Sequence, residues 1–171
     1  MNNTIRIGTR ESELAMWQAN LVASQLKDFG YPSVLVQVKS EGDIDLQTPL
    51  YEMGVQGIFT RALDVALLNR QIDIAVHSYK DVPTQLPEGL VVAAVLERGN
   101  HRDILVFHPQ HSITADQQEA LQSGVNMPEV LPAPFLLATS SIRRKAQWLA
   151  KMPGSTIENI RGNINTRMKK M

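Results

Sequence analysis

The sequence predicts an α/β protein built on a mostly parallel sheet. Strand-like and helix-like stretches alternate through its first half, and the helical ones are about 10–15 residues long, as crossover connections require. The run at residues 90–96 is seven apolar residues without a polar break, the pattern of a strand covered on both faces. Short strands also recur in the second half, each followed by a turn that opens a helix.

Residues 4–8 (TIRIG) alternate as a short strand. Residues 12–29 set Leu14, Trp17, Leu21, Val22, Leu26 and Phe29 at helical spacing and stop at Gly30. Residues 33–39 (SVLVQVK) form a β-branched strand, and residues 58–69 return to helical spacing through Leu63, Ala66 and Leu67. Strands follow at 72–77 (IDIAVH) and 90–96. The polar ERGNHR at 97–102 has the composition of a hinge. Beyond it come a strand at 103–107, a short helix at 115–122 in a stretch with Pro128, Pro132 and Pro134, and a strand at 135–138. A helix at 140–150, a strand at 156–161 and a final helix at 163–171 complete the pattern.

Composition narrows the function classes. Seventeen basic and seventeen acidic residues cancel, which argues against a general polyanion binder. The zero conceals an asymmetry: from Thr139 onward eight basic residues face the single acid Glu158, a charge of +7, and the first 138 residues carry −7. Such a balance points to one part of the chain handling an anion. With no cysteine, no disulfide, thiolate metal site or thiol nucleophile can form. The longest apolar run is far too short for a bilayer span, and the N-terminal residues have no apolar signal core, so a soluble cytoplasmic protein with no membrane partner is expected.

Three strand-to-helix turns carry arginine. Thr139-Ser140-Ser141-Ile142-Arg143-Arg144 opens a helix with two arginines, which the positive end of the helix dipole disfavours by ~0.3–1 kcal/mol each. Free N–H groups, hydroxyls and guanidinium groups together make an anion site. Ile160-Arg161-Gly162-Asn163 repeats the arrangement, with Arg167 six residues after Arg161 and its facing undetermined by spacing. Gly8-Thr9-Arg10-Glu11-Ser12 is the third. Ligands of open α/β sheets gather at strand carboxyl ends, so the three turns predict a ligand with several carboxylates or phosphates. After the strand at 72–77 comes His77-Ser78-Tyr79-Lys80-Asp81. Two readings of Lys80-Asp81 stand open: a functionless loop ion pair worth ~0–1 kcal/mol, or a carboxylate that moves protons and steadies a cation. His77 is expected to satisfy a buried hydrogen bond.

In chain order, GTRESELAMWQ (8–18), HSYKDVPTQLPEG (77–89), Arg102-Asp103, ATSSIRRKAQ (138–147) and IRGNINTR (160–167) resemble the porphobilinogen deaminase (hydroxymethylbilane synthase) family over nearly the whole chain. The resemblance implies a transferase of tetrapyrrole biosynthesis. Such enzymes join four porphobilinogen units with loss of ammonia on a dipyrromethane cofactor held by thioether to a cysteine. It implies two α/β domains similar to type II periplasmic binding proteins, with mixed, mostly parallel sheets: a first at 1–99 and a second, incomplete, at 100–171. The third, cysteine-bearing domain of the family is not represented. By the same resemblance Asp81 is catalytic, and Arg10, Ser12, Lys80, Ser141, Arg143, Arg144, Arg161 and Arg167 bind cofactor and substrate carboxylates; Gln18 is a lesser candidate. The complete enzyme is expected to be a monomer without nucleic-acid partners.

Two local departures stand out. The family's lysine-bearing GGKG-type loop corresponds here to Glu52-Met53-Gly54-Val55-Gln56-Gly57, and the stretch 108–134 looks like a surface insertion. The chain reads as roughly the first half of such an enzyme, inactive alone and prone to self-association. The rival reading is a non-catalytic α/β cleft module that binds a small polycarboxylate.

Overall fold

The computed structural model describes residues 4–39, 59–131 and 134–171. The glycine loop at 52–57 lies outside the described residues. Contacts divide the chain into two units, Met1–Glu97 and Arg98–Met171. Both are mixed α/β with parallel strands.

In the first unit β1 (Ile5–Thr9) lies between β2 (Ser33–Gln37) and β3 (Ile74–Ala75), parallel to both. Ile5 pairs with Ser33 and Thr9 with Gln37, while Gly8 pairs with Ala75. Helix α1 (Glu13–Asp28) crosses from β1 to β2. It starts where Ser12 Oγ accepts the Ala15 N–H at 3.3 Å, one of the donors a helix N-terminus leaves over. Helix α2 (Arg61–Leu68) precedes β3 and buries Leu63 and Ala66 against Ile72, Val36 and Val38. Gly8 sits inside this packing: a Cβ there would strike Ile72 Cδ1 and come within 2.8 Å of Leu63 Cδ2, so only glycine fits without displacing buried side chains.

The apolar stripe expected to bury α1 is only half used. Ala19 is fully buried, while Trp17 is 62% exposed and Leu14, Leu21 and Phe29 are exposed as well. Close packing of the helix on β1 and β2 selects the small side chain at 19 and turns the bulky ones outward. At the sheet edge the Arg6 guanidinium forks onto Asp73, Nε to Oδ2 at 3.0 Å and Nη2 to Oδ1 at 2.8 Å, and holds the carboxyl down at about 2.

The second unit has β4 (Leu136–Ala138) parallel to β5 (Thr156–Glu158), joined by α5 (Ile142–Lys151). Before them lie α3 (Ala115–Gln122) and α4 (Met127–Val130); α6 (Ile164–Lys170) follows. Thr114 and Gln117 close a reciprocal capping box on α3, and Gln117 Nε2 donates to Val130 O at 2.9 Å, tying α3 to the end of α4. Leu131, Trp148 and Met152 form the buried centre, joined by Ile113, Leu121, Met127, Phe135, Leu137 and Ile157. The stretch 108–134 is therefore not the surface insertion expected: Ile113, Leu121, Met127 and Leu131 belong to the apolar cluster around Trp148. Polar and proline residues dominate its composition, and these four apolar side chains pack into one cluster.

Two expected strands are not formed. Residues 90–96 and 103–107 carry no regular structure, with Val91 and Ile104 each 83% exposed. A fully apolar strand needs hydrogen-bonded neighbours and cover on both faces, and the described residues provide neither. Among the described residues no helix is long and apolar enough to cross a membrane.

Candidate functional site

In the first unit the functional side chains rise from the carboxyl ends of neighbouring strands. β1 ends at the buried Thr9 and delivers Arg10, whose Cζ stands 4.3 Å from the centroid of the Phe59 ring. Ser12 Oγ accepts the bond that caps α1, which does not use its O–H. β3 pairs with β1 one residue before that end, so the chain leaving it passes beside Arg10's strand. It runs through His77 and Ser78 into a single tight turn, Tyr79–Asp81, closed by Asp81 N–H on Ser78 O at 2.9 Å. Ser78 Oγ donates to Gln18 Oε1 at 3.1 Å and so fixes the turn to α1. Lys80 is exposed and Asp81 half-buried. They form no ion pair with each other among the described residues, so the functionless pair is not what holds them there.

His77 is half-buried, and among the described residues its ring meets charges rather than the hydrogen-bond partner expected of it. Burial pushes its pKa below the ordinary histidine value; Asp64 and Asp81 pull the other way and Arg10 adds to the depression. The sign follows: the folded pKa lies under the unfolded one, so this group's stabilisation is complete above about pH 6.5 and is lost as pH falls below it. The ring is neutral at pH 7. An NMR titration of the His77 imidazole is expected to give a midpoint below 6.5; a midpoint above that value contradicts the assignment.

In the second unit the two remaining arginine turns come together. β4 leads through Thr139 to Ser141, the N-cap of α5, whose Oγ accepts the Arg144 N–H at 3.4 Å. Thr139 Oγ1 in turn accepts the Ser141 N–H at 3.2 Å. Arg143 donates Nη1–H to Gln147 Oε1 at 3.0 Å. Arg144 Nη2 donates to Asp103 Oδ1 at 2.6 Å, and Arg143 Nη2 lies 3.8 Å from Asp103 Oδ2. The chain leaving β5 carries Arg161, only 7% exposed, into Gly162 at φ 113° and the Asn163 cap of α6. Glycine is required twice over at 162, by its left-handed backbone and because a Cβ would lie 2.6 Å from Thr166 Cγ2.

Arg167, left undetermined by spacing, turns back to this end. Its Nε donates to Gly162 O at 2.7 Å, and burial together with the charges of Arg144 and Arg161 pulls its pKa down. Three guanidinium groups, from the first turn of α5, from α6 and from the chain leaving β5, thus share one electropositive region. Such a region is at its most stable with several negative charges inside it. The sequence did not single out Asp103 or the Ser78–Gln18 bond; Arg102-Asp103 was visible as a motif, but nothing in its spacing pointed to Arg144.

These features define a parallel α/β protein with arginines gathered beyond its strand ends. Residues 5–171 match the family model described as porphobilinogen deaminase, dipyromethane cofactor binding domain. The porphobilinogen deaminase of Syntrophomonas wolfei is 43% identical over 98% of this chain and 50% of its own length. That of Chloroherpeton thalassium is 39% identical over 99% and 50%, and the probable porphobilinogen deaminase of Methanocaldococcus jannaschii 41% over 98% and 51%. The chain belongs to the porphobilinogen deaminase family. It spans about half the length of the curated relatives it matches.

Proposed function

We propose that this chain supplies the carboxylate-binding arginines and the catalytic carboxylate of a transferase that joins four porphobilinogen units into hydroxymethylbilane. The observation that carries this reading is the convergence of Arg144, Arg161 and Arg167 in one partly desolvated region. The dipyrromethane group fits such a donor set: its two pyrroles carry acetate and propionate side chains, a polyanion that a guanidinium cluster neutralises. When bound, it supplies the free pyrrole carbon on which the chain grows.

The residues divide the work by chemistry. Arg143, Arg144, Arg161 and Arg167, with Ser141 at the head of α5, hold carboxylates. Arg10, Ser12 and Lys80 do the same in the first unit, and Gln18 holds the turn that presents Asp81. Ammonia leaves the protonated aminomethyl group of porphobilinogen: the C–N bond breaks with its electron pair going to nitrogen, the pyrrole nitrogen pushes its electrons into the ring, and an azafulvene-like cation results. The Asp81 carboxylate stabilises that cation and accepts the pyrrole N–H, a form of charge stabilisation worth several kcal/mol, roughly, where water is excluded.

Thioether attachment of the cofactor requires a cysteine, and these 171 residues contain none. The chain alone therefore forms no hydroxymethylbilane, and turnover needs a cysteine-bearing remainder. The domains are 1–99 and 100–171, each similar to a type II periplasmic-binding-protein domain, a division supported by the contact boundary after Glu97. The complete enzyme is a cytoplasmic monomer. The exposed Val91, Val95 and Ile104 support self-association of the chain when it is on its own. The cysteine-free sequence also favours a second reading, a module that only binds polycarboxylates.

The test is a chimera in which residues 1–171 replace the matching half of the Syntrophomonas wolfei protein, assayed with porphobilinogen against that intact protein. Linear tetrapyrrole, detected as porphyrin fluorescence after acid and oxidation, is expected from the chimera and not from the 171-residue chain. A folded chimera that binds polycarboxylates without turnover assigns the module reading instead.

A further inference from the structure

Arg102-Asp103 is the one quoted motif to which the mechanism gives no role, and Asp103 meets both arginines that open α5. Its Oδ1 accepts from Arg144 Nη2 at 2.6 Å, and its Oδ2 lies 3.8 Å from Arg143 Nη2. Both arginines sit where the helix dipole and their mutual repulsion disfavour them, and all three side chains are substantially open to water, at 63%, 45% and 44% exposure for Arg143, Arg144 and Asp103. An exposed arginine without a tether samples many rotamers and must be immobilised when a ligand binds. A guanidinium has five N–H donors. Asp103 takes one Nη2 of Arg144 and approaches one of Arg143, and Gln147 takes Nη1 of Arg143. The contact is single-point rather than a fork, so each guanidinium keeps donors for another carboxylate.

We propose that Asp103 is a positioning residue: one carboxylate bridging Arg143 and Arg144 orders their head groups at the start of α5 before a carboxylate ligand arrives. This rests on the reading of the arginine cluster as a carboxylate site. Asp103 lies on a segment with no regular structure, and its side chain joins that segment to this turn. Pre-ordering outweighs the negative charge it adds near the site, because the charge is screened by water and the rotamer cost is not.

The two effects have opposite signs, which makes the experiment decisive. Calorimetric titration of the 171-residue chain with tricarballylate, at fixed ionic strength, compares wild type with Asp103→Asn, Asp103→Glu and the surface control Glu119→Gln. Asp103→Asn is expected to bind about three- to tenfold more weakly, the cost of ordering roughly one arginine side chain, since Gln147 still holds Arg143, with its thermal midpoint unchanged. Asp103→Glu recovers most of the affinity, and Glu119→Gln stays within about twofold of wild type, as expected of a remote screened charge. Equal or tighter binding by Asp103→Asn overturns the positioning role and identifies Asp103 as an internal competitor for the arginines. A parallel fall in thermal midpoint also overturns it, by making the effect structural. No binding by wild type removes the carboxylate site itself and the positioning role with it.

Discussion

Asp81→Asn in the chimera is expected to cut hydroxymethylbilane formation by at least about a hundredfold, the lower range for loss of a positioned acid–base group, while leaving thermal unfolding in place. The turn that presents Asp81 is closed by its backbone N–H on Ser78 O at 2.9 Å and anchored through Ser78 Oγ on Gln18 at 3.1 Å. Neither bond uses the carboxylate, so the amide keeps the shape and removes only the charge. What is lost is the stabilisation of a cation that exists after ammonia leaves and not before, so the effect falls on kcat more than on KM. Asp81→Glu keeps the charge but moves it by one methylene, and displacements near 1 Å cost on the order of a hundredfold when geometry governs the rate. Both variants should therefore be slow, with the glutamate the faster of the two. Near-normal product formation by Asp81→Asn would remove the carboxylate from the mechanism.

The local chemistry of the turns was legible in the sequence; the long-range partnerships were not. Ser12, Ser141 and Asn163 cap helices where a hydroxyl or amide precedes a helical pattern, because a cap is decided within four residues. Strand ends followed by arginine mark the same positions for the same reason. Arg144 and Asp103 are 41 residues apart, and Ser78 and Gln18 are 60 apart, so no local rule could join them. The direction of Arg167 depended on the carbonyl of Gly162, a residue in left-handed backbone. Apolar periodicity misled in two ways. It assigned Trp17 to a buried stripe although the helix packs through Ala19, and it made strands of 90–96 and 103–107, which pair with no strand among the described residues. Composition misled once, at 108–134, where sparse apolar residues build a core.

That core leads to the second large effect: Trp148→Ala is expected to destabilise the second unit by about 3–5 kcal/mol, the usual range for removing a buried tryptophan. Trp148 is 8% exposed, its ring centroid lies 5.3 Å from that of Phe135, and its Nε1–H reaches Ser155 Oγ at 2.9 Å. It therefore joins α5 to both the residue before β4 and the residue before β5. A two-stranded sheet is marginal without a face to pack on, and here the face is this one side chain with Leu131 and Met152. Because a domain's whole stability is about 5–15 kcal/mol, the loss is a large fraction of what holds Ser141 and Arg144 opposite Arg161. Trp148→Phe keeps an aromatic ring but loses the hydrogen bond and part of the buried indole, so it is expected to fall between wild type and Trp148→Ala, with at least the bond's net cost of about 0.5–1.5 kcal/mol. Urea unfolding followed by circular dichroism orders the three proteins, and the alanine variant should lose tricarballylate binding at a lower urea concentration than wild type. If Trp148→Ala unfolds within 1 kcal/mol, roughly, of wild type, below the range for buried aromatics, the apolar cluster around α5 is not what keeps the arginine turns together. The capping bonds of Ser141 and Asn163 would then have to hold the anion site by themselves.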